Sequence, residues 1–379
     1  MIIGIDGNEA NVGKRVGISE YSFELLRQFE EFKIHPFDKF RTKFKIYLKN
    51  KPLAFLPKES DNWSYRIVKP SKLWTQIGLP INLFTRKPKP DIFFSPTHYA
   101  PRFSPIPTVI SVMDLSFLHF PELFKKSDLY QLKNWTAYSV KKASKIFTIS
   151  KASKNDIIRK YGVPEDKVVV TYPGLKFKIQ NSKFKVQSMD ELKKKYGISG
   201  KFILFVGTLQ PRKNIEKLIE AYSKIVEEND FPVLVIVGKK GWLYEDILKA
   251  PKKYGVEDKV KFLDFVPNED LPILYQNALF FILPSLYEGF GLPVLEAMQN
   301  SCPVITSNVS SLPEAGGDAA LYVDPKDTGD IASKMKLLIN DEKLRKELIE
   351  KGHQQVKKFS WEKTAKETLK VLEEVVLQK

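Results

Sequence analysis

The chain has 379 residues, 43% of them hydrophobic, which is enough apolar material for large cores and favours two domains over one. Its single cysteine, Cys302, excludes an intramolecular disulfide and any metal site built from several cysteines, and it fits a reducing cytoplasm. The net charge is +16, and residues 1–180 hold 31 basic against 16 acidic residues, a net +15 in that half. Such a surface attracts the phosphates of nucleic acid, anionic lipid or an acidic substrate, unless it is only a lysine-rich exterior.

No apolar run approaches the roughly 18 residues that a membrane-spanning helix needs. Residues 1–5 enter an apolar strand instead of a basic leader followed by a long apolar core. These features predict a cytoplasmic protein that is neither secreted nor integral to a membrane.

Short apolar runs alternate with helical patterns in the first half of the chain. Strands are predicted at residues 2–6, 45–48, 91–95, 108–112 and 145–149, and helices near residues 18–32 and 127–143. This alternation predicts a mostly parallel sheet with crossover helices, in which ligands bind at the carboxyl ends of the strands.

Three groups in this half are candidates for a site. Gly17 lies in a loop ahead of the first helix, where the backbone can approach a ligand, although the loop lacks the G-x-G-x-x-G spacing. His98 and Asp114 each follow a predicted strand. His98 is either a site residue or an ordinary hydrogen-bonded histidine, and the second interpretation is favoured for His119.

The second half opens with an apolar strand at residues 202–206 that runs into Gly207. Asn214 is predicted to cap a helix with an apolar face over residues 218–226, so Arg212 and Lys213 stand just before a helix N-terminus. Two fixed cations beside positive helix amides repel each other unless an anion lies between them. We therefore expect a ligand with several negative oxygens here.

A strand, a glycine loop and a helix are predicted in that order over residues 278–297. The loop and the helix start read Glu288-Gly289-Phe290-Gly291-Leu292, and Glu296 lies about one turn into the helix. The glycines allow close backbone approach, and the free helix amides favour a phosphate. Both carboxylates can accept hydrogen bonds from the paired hydroxyls of a sugar or a ribose.

Glu288 and Glu296, with seven residues between them around Gly-Phe-Gly-Leu-Pro, resemble the donor-sugar motif of the retaining glycosyltransferases of family 4. The resemblance covers nearly the whole chain and is strongest from 202 to 325. It implies an α/β fold of the GT-B type, with two Rossmann-like parallel-sheet domains that face each other across a cleft. Residues 1–175 would bind the acceptor, 176–190 would form a linker, 191–358 would bind the nucleotide sugar, and 359–379 would form a helix that crosses back to the first domain.

The same resemblance implies roles for single residues. Arg212 and Lys213 would neutralise the departing diphosphate, Glu288 would hold donor-sugar hydroxyls, and Glu296 would take the ribose diol. The remaining donor contacts are expected at Gly17, Gly207, Val266, Gly289, Phe290, Gly291 and Leu292. The loop at Val266 would meet the base largely through its backbone.

Asp114 and His98 are the acceptor-side catalytic candidates. Many relatives carry a histidine immediately before this aspartate, but here the position is Met113, which cannot accept a proton. Either Asp114 acts as the base, or an oxygen of the leaving diphosphate assists the incoming hydroxyl.

Residues 308–320 resemble mannosyltransferase-type members of the family, which favours GDP-mannose as donor over UDP-linked hexoses. The implied acceptor is a glycan or a polyprenyl-diphosphate-linked glycan in cell-surface polysaccharide or glycoconjugate synthesis. No metal and no cofactor are expected. A GT-B epimerase or phosphorylase is the alternative enzyme, and a nucleic-acid-binding protein is the alternative of another class.

Residues 50–90 interleave basic side chains with the aromatic residues Trp63, Tyr65, Trp74 and Phe84. This pattern can lie on an anionic membrane surface or stack with single-stranded nucleic acid. Beside a glycosyltransferase domain the membrane is the preferred partner, and no nucleic acid is expected. The protein would then be peripheral on the inner face of the cell membrane.

Overall fold

The computed structural model describes residues 1–15, 17–32, 42–175, 189–198, 200–226 and 231–378. The chain divides into two compact units, which are Met1–Gly174 together with Phe359–Lys379, and Leu175–Lys358. The linker predicted at 176–190 lies outside the described residues except for its last two, which begin a helix.

The first unit is built on a seven-stranded sheet in which each neighbouring pair of strands is parallel. In chain order its strands are β1 (Ile2–Asp6), β2 (Lys43–Leu48), β3 (Trp63–Ile67), β4 (Ile92–Ser95), β5 (Thr108–Ser111), β6 (Lys145–Thr148) and β7 (Val168–Val170). Their order across the sheet is β3-β2-β1-β4-β5-β6-β7. All five strands predicted for this half are therefore confirmed.

Helices connect these strands. Those described are α1 (Ile18–Glu31), α2 (Leu79–Thr85), α3 (Ser116–His119), α4 (Lys126–Lys142) and α5 (Lys151–Tyr161). In α1 the apolar side chains recur at helical spacing, and Tyr21, Leu25 and Phe29 share one buried cluster with Ile3 and Ile5 of β1. This burial holds α1 on the sheet next to the strand from which its loop departs.

Two elements in the 50–90 region are not predicted from the sequence. One is β3, an edge strand whose first residue, Trp63, is buried while the others are at least partly exposed, so no run of buried residues marks it. The other is a π-helical turn, Trp74–Gly78, which continues directly into α2. Trp63 and Trp74 are both buried in the first unit. The expectation that these two rings lie on a membrane surface is therefore wrong.

The second unit contains a six-stranded sheet, again with parallel pairs throughout. Its strands are β8 (Phe202–Val206), β9 (Val233–Val237), β10 (Val260–Leu263), β11 (Phe280–Leu283), β12 (Val304–Ser307) and β13 (Ala320–Val323). Its described helices are α6 (Met189–Tyr196), α7 (Ile215–Ser223), α8 (Glu245–Lys253), α9 (Leu271–Asn277), α10 (Leu292–Gln299), α11 (Leu312–Gly316), α12 (Thr328–Asn340) and α13 (Glu342–Val356).

Two predicted boundaries in this unit are wrong. The helix that begins after Asn214 ends at Ser223, so Ile225 and Val226 lie beyond its regular turns. Residues 308–314, for which the sequence predicts a loop, become helical at Leu312, because the short helix α11 starts with Leu-Pro.

Each sheet has one point at which the chain reverses the direction in which it adds strands. In the second sheet, whose order is β10-β9-β8-β11-β12-β13, this point lies between β8 and β11. In the first sheet it lies between β1 and β4. Parallel α/β sheets bind ligands at the carboxyl ends of the strands that flank such a point. The fold therefore predicts two candidate ligand sites, one at the reversal point of each sheet.

The last helix, α14 (Trp361–Leu377), belongs to the first unit. The Ser360 hydroxyl caps it by accepting a hydrogen bond from the Lys363 amide at 3.1 Å. The Trp361 ring packs edge-on against Tyr21 of α1, with the ring centroids 5.8 Å apart, and Leu372 is fully buried. Within the described residues, no helix has the length and apolarity that crossing a bilayer requires.

Candidate functional site

The loops that follow β8 and β11 meet at the reversal point of the second sheet. Phe280 and Phe281 of β11 pair with Ile203 and Leu204 of β8, which brings the two loops side by side. The loop after β8 forms a short 3-10 turn, Pro211–Lys213. The sequence places Gly207, Arg212 and Lys213 on one of these loops and Glu288 through Leu292 on the other.

Arg212, Lys213 and Glu288 form one buried cluster. The Lys213 Nζ lies 2.5 Å from Glu288 Oε1, and an Arg212 Nη lies 3.1 Å from Glu288 Oε2. The Ser285 hydroxyl donates to Glu288 Oε1 at 2.7 Å. Lys213 and Glu288 are both buried, so the ion pair is largely removed from water.

The anion that separates the two cations is thus Glu288 itself. The sequence predicts an anion between Arg212 and Lys213, and the Glu288 carboxylate is one that contacts both. A bound ligand with several negative oxygens at this site stays a prediction. Burial raises the pKa of Glu288, but the charges of Lys213 and Arg212 outweigh it and lower that pKa to about 2. Glu288 is therefore ionised at neutral pH, and the cluster of two cations and one carboxylate keeps a net charge of +1.

The backbone of Glu288 is held by two serines that follow β12. Ser310 Oγ and Ser311 Oγ donate to the Glu288 carbonyl oxygen at 2.5 and 2.8 Å. The Arg212 side chain also donates to the Tyr287 carbonyl at 2.5 Å. Sequence reasoning assigned no role to Ser310 or Ser311, because their contact joins segments more than 20 residues apart that only the folded sheet brings together.

Asn214 occupies the N-cap position of α7, as predicted, but its side chain makes no capping hydrogen bond. Its backbone is left-handed, with φ 60°. Its Nδ2 instead donates to the carbonyl oxygens of Pro284, at 3.0 Å, and Pro325, at 2.6 Å. Asn214 thereby ties the loop that carries Arg212 to the loop that carries Glu288.

Gly291 is required at the start of α10 for two reasons. Its φ of 105° is a conformation that side-chain-bearing residues rarely adopt, and a Cβ at this position would lie 2.8 Å from a methyl group of Leu312. α10 then begins at Leu292, with Pro293 in its first turn. The predicted glycine loop and helix start are confirmed.

Glu296 lies on α10, one turn beyond its start, and is half-buried. The Tyr275 hydroxyl donates to its Oε2 at 3.3 Å. Phe290 and Val266 are both buried. Val266 follows β10, which is two strands from β8, so it lies further along the same edge of the sheet.

The first unit has a cavity of about 600 Å³ at its own reversal point. Its lining includes Asp6 at the end of β1 and His98 shortly after β4. Other lining side chains are Asn8, Glu9, Lys49, Trp74, Thr97, Tyr99 and Trp135. Gly17 belongs to this unit as well and precedes α1, with φ 54°.

Burial raises the pKa of Asp6 to about 6, although two hydrogen bonds from Asn8, at 3.0 and 2.6 Å, oppose this change. Burial lowers the pKa of His98, and the nearby charge of Asp114 opposes that change. The His98 Nδ1 is buried without a hydrogen-bond partner among the described residues. Sequence reasoning missed Asp6, whose signal is its place as the last residue of the first strand, directly before Gly7.

Asp114 and His119 contribute to local structure. One Asp114 carboxylate oxygen accepts from the Ser116 amide at 2.8 Å, at the start of α3. The His119 Nε2 lies 3.0 Å from an Asp156 carboxylate oxygen, as expected for an ordinary hydrogen-bonded histidine.

Comparisons with known proteins identify the family of the chain. The family model described as glycosyl transferases group 1 matches residues 187–355, and the model described as glycosyltransferase family 4 matches residues 60–177. The chain is 32% identical over 376 residues to O-antigen chain mannosyltransferase B of Escherichia coli, covering 93% of this chain and 94% of that protein. It is also 34% identical over 227 residues to the serotype-specific mannosyltransferase WbdA of E. coli, a match that covers 28% of WbdA.

Solved structures resemble the chain over its full length. Sucrose-phosphate synthase from Thermosynechococcus elongatus aligns with a TM-score of 0.72 at 17% identity, and the alignment covers 100% of both chains. Anabaena HepE in complex with UDP-glucose aligns with a TM-score of 0.72 at 19% identity, covering 98% of this chain and 99% of that one. At these identities the likeness establishes the fold, and it confirms the predicted α/β architecture of the GT-B type.

The site and these relatives lead to the same conclusion. The glycine loop with its two glutamates, the buried cations beside it and the long match to a mannosyltransferase occur in one chain. The chain belongs to the group 1 glycosyltransferases.

Proposed function

We propose that this glycosyltransferase is a retaining enzyme that moves mannose from GDP-mannose to a hydroxyl of a glycan or a polyprenyl-diphosphate-linked glycan. The observation that carries this proposal is the buried Arg212, Lys213 and Glu288 cluster at the reversal point of the second sheet. The similarity to O-antigen chain mannosyltransferase B favours mannose, and a UDP-linked hexose is the second choice of donor.

The cluster suits the departure of a nucleoside diphosphate. As the bond between the sugar C1 and the diphosphate oxygen breaks, negative charge grows on the diphosphate. Glu288 holds Arg212 and Lys213 in place before the reaction, and the net +1 of the cluster faces that charge. Charges fixed in advance stabilise a transition state by about 3 kcal/mol per well-placed group.

Glu288 has a second role in the proposal. A carboxylate offers about four lone-pair positions, and Lys213, Ser285 and Arg212 occupy three of them. The remaining position accepts a hydroxyl of the donor sugar. Glu296 accepts from the ribose diol. The other donor contacts from this unit are Gly207, Gly289, Phe290, Gly291, Leu292 and the backbone at Val266.

Retention of configuration requires that the acceptor oxygen bond to C1 on the face that the diphosphate leaves. Met113 cannot take the acceptor proton. We therefore assign this proton to an oxygen of the departing diphosphate, with Asp114 as the alternative base and no metal or cofactor required. His98, with a pKa lowered by burial, is neutral at physiological pH and serves as a hydrogen-bonding group for the acceptor.

The cavity of the first unit is the proposed acceptor site. Its volume of about 600 Å³ lies within the range of about 300–1,000 Å³ that is usual for small-molecule sites. Tyr99 and Trp135 supply aromatic surface, and Asp6 and Glu9 supply acceptors for sugar hydroxyls.

A donor panel tests this function. Purified protein is incubated with GDP-mannose, UDP-glucose, UDP-galactose and GDP-glucose in the presence of mannose-containing oligosaccharides, and the released nucleoside diphosphate and the glycosylated product are measured. We expect GDP-mannose to give the highest kcat/KM and an α-linked product by NMR. A β-linked product would refute retention, and release of nucleotide without any product from all four donors would refute transfer.

A further inference from the structure

The helical segment 74–85 has two apolar faces. Trp74, Leu79 and Leu83 point inward and are buried in one cluster of the first unit. Ile77, Ile81 and Phe84 follow the spacing i, i+4, i+7 and are 41%, 55% and 51% exposed. A helix on the surface of a water-soluble domain needs only the inner face to be apolar. The apolar outer face therefore indicates a surface that binds a partner.

Two further apolar side chains flank this segment. Leu73, immediately before it, is 49% exposed, and Phe103 is 74% exposed. The Arg102 amide donates to the Thr75 carbonyl at 2.9 Å, which holds the Phe103 loop beside the π-helical turn. We call Leu73, Ile77, Ile81, Phe84 and Phe103 the outer face.

The outer face lies within a strongly cationic part of the chain. From 69 to 103 the sequence carries six basic residues, Lys69, Lys72, Arg86, Lys87, Lys89 and Arg102, and one acidic residue, Asp91. The Asp91 side chain contacts strand β1, because its Oδ2 accepts a hydrogen bond from the Ile2 amide at 2.7 Å. The first five of these cations are exposed.

Within the part of the chain that the structure describes, three of the cations have no ion-pair partner. Lys72, Arg86 and Lys87 make no ion pair with any residue that the structure describes. Their charge is therefore open to an external anion. Apolar side chains and cations without an ion-pair partner lie in the same segment. This combination is complementary to a partner that has an apolar interior and an anionic surface.

We infer that the outer face docks on an anionic lipid bilayer, with Ile77, Ile81 and Phe84 in the interfacial layer and the surrounding lysines and arginines at the lipid phosphates. Each such cation near an anionic membrane strengthens binding, and apolar side chains on one helix face supply the rest of the affinity. A second copy of this chain is a poor occupant, because a symmetric contact would place the same cationic segments against each other.

Docking in this way brings the proposed acceptor cavity to the lipid surface. Leu73, Trp74, Thr75 and Gln76, at the start of the segment, line that cavity. A glycan attached to a lipid diphosphate would thus be presented where its anionic linkage meets the cations. This last step rests on the proposed function, whereas the docking itself does not.

Vesicle sedimentation with the full chain tests the inference. We compare binding to anionic vesicles, made of phosphatidylcholine with roughly 30% phosphatidylglycerol, and to neutral vesicles of pure phosphatidylcholine. Wild type is expected to bind the anionic vesicles at least roughly 10-fold more tightly than the neutral ones. The double variant Ile81→Glu, Phe84→Glu is expected to lose at least roughly 10-fold in affinity for the anionic vesicles.

A matched control comes from the other unit. Leu248 and Leu337 are also exposed on helices, at 36% and 40%, and the double variant Leu248→Glu, Leu337→Glu is expected to bind anionic vesicles like wild type. Thermal melting checks that both variants are folded. GDP-mannose turnover with a water-soluble acceptor should be unchanged in Ile81→Glu, Phe84→Glu, so a failure of docking and a failure of the proposed donor are told apart.

Three results would overturn the inference. The first is equal binding of wild type to neutral and anionic vesicles, or to neither. The second is unchanged binding by the folded variant Ile81→Glu, Phe84→Glu. The third is a concentration-dependent dimer in sedimentation velocity that this variant abolishes, which would assign the outer face to a second copy.

Discussion

Replacing Glu288 by Gln should destabilise the second unit at neutral pH, because it removes the counter-ion of two cations. The pKa of Glu288 is lowered from an ordinary 4.5 to about 2, and a tenfold change in acidity corresponds to about 1.4 kcal/mol. The charge of Glu288 thus contributes about 3 kcal/mol, in the range of the roughly 3–5 kcal/mol that breaking a buried pair costs. Lys213 is itself buried and would lose the negative charge of Glu288 that lies 2.5 Å from its Nζ.

The pH dependence follows from the sign of this change. A carboxylate whose pKa is lower in the folded state stabilises it above the unfolded pKa, near 4.5, and the contribution is lost as pH falls toward about 2. The difference between wild type and Glu288→Gln should therefore be constant from pH 8 to pH 5. Below pH 4.5 it should shrink.

Hydrogen exchange provides the assay, because the two units need not unfold together. The free energy of opening is compared between the proteins for peptides that cover β8 and β11. Glu296→Gln is the control, since Glu296 is half-buried and lies outside the cluster of Arg212 and Lys213. Equal protection of these peptides in wild type and Glu288→Gln at pH 7 would refute the reasoning.

Three further outcomes are expected. Arg212→Ala should lower kcat by roughly 100-fold, since about 3 kcal/mol of transition-state stabilisation is removed; turnover within threefold of wild type in a steady-state assay would contradict the assigned role. Gly291→Ala should destabilise the protein by roughly 1–3 kcal/mol, because of its φ of 105° and the Leu312 methyl at 2.8 Å. Gly13→Ala, where a Cβ meets no atom within 4 Å, is its control in thermal melting and should behave like wild type. Asp6→Asn should stabilise the first unit at pH 8 but have little effect at pH 3.5, because a carboxyl whose pKa is raised from 3.8 to about 6 loses its stabilising contribution as pH rises through that interval. Urea denaturation at the two pH values measures this effect. An equal effect at both pH values would argue against a buried, protonated Asp6.

Sequence reasoning recovered β8, β11 and the five strands predicted in the first half, because their apolar runs are short, buried and separated by polar segments. β8 and β11 carry continuous apolar side chains on both faces, as central strands of a parallel sheet do. The glycine loop before α10 was also predictable from the sequence, since Gly291 has a conformation that few other residues can adopt.

The contacts within the site could not be predicted from the sequence, because they join segments that are far apart along the chain. Lys213 and Glu288 are 75 positions apart, so the sequence could indicate a need for an anion but not its source. Asn214 illustrates the same limit, because local propensity favours a helix cap while two carbonyl groups from other loops capture its amide. The edge strand β3 was missed because edge position leaves most of its side chains exposed.

The placement of α14 has a consequence for synthesis of the protein. Trp361, Ala365 and Leu372 complete the core that begins with Ile3 and Ile5, yet residues 175–358 of the other unit are translated in between. At translation rates of about 5–20 residues per second, this interval lasts on the order of 10–40 s. During that time the α1 side chains that pack in the same cluster as α14, such as Tyr21 and Leu25, lack the cover that α14 provides in the finished fold. We therefore expect the first unit to reach its full stability only after the whole chain has been synthesised.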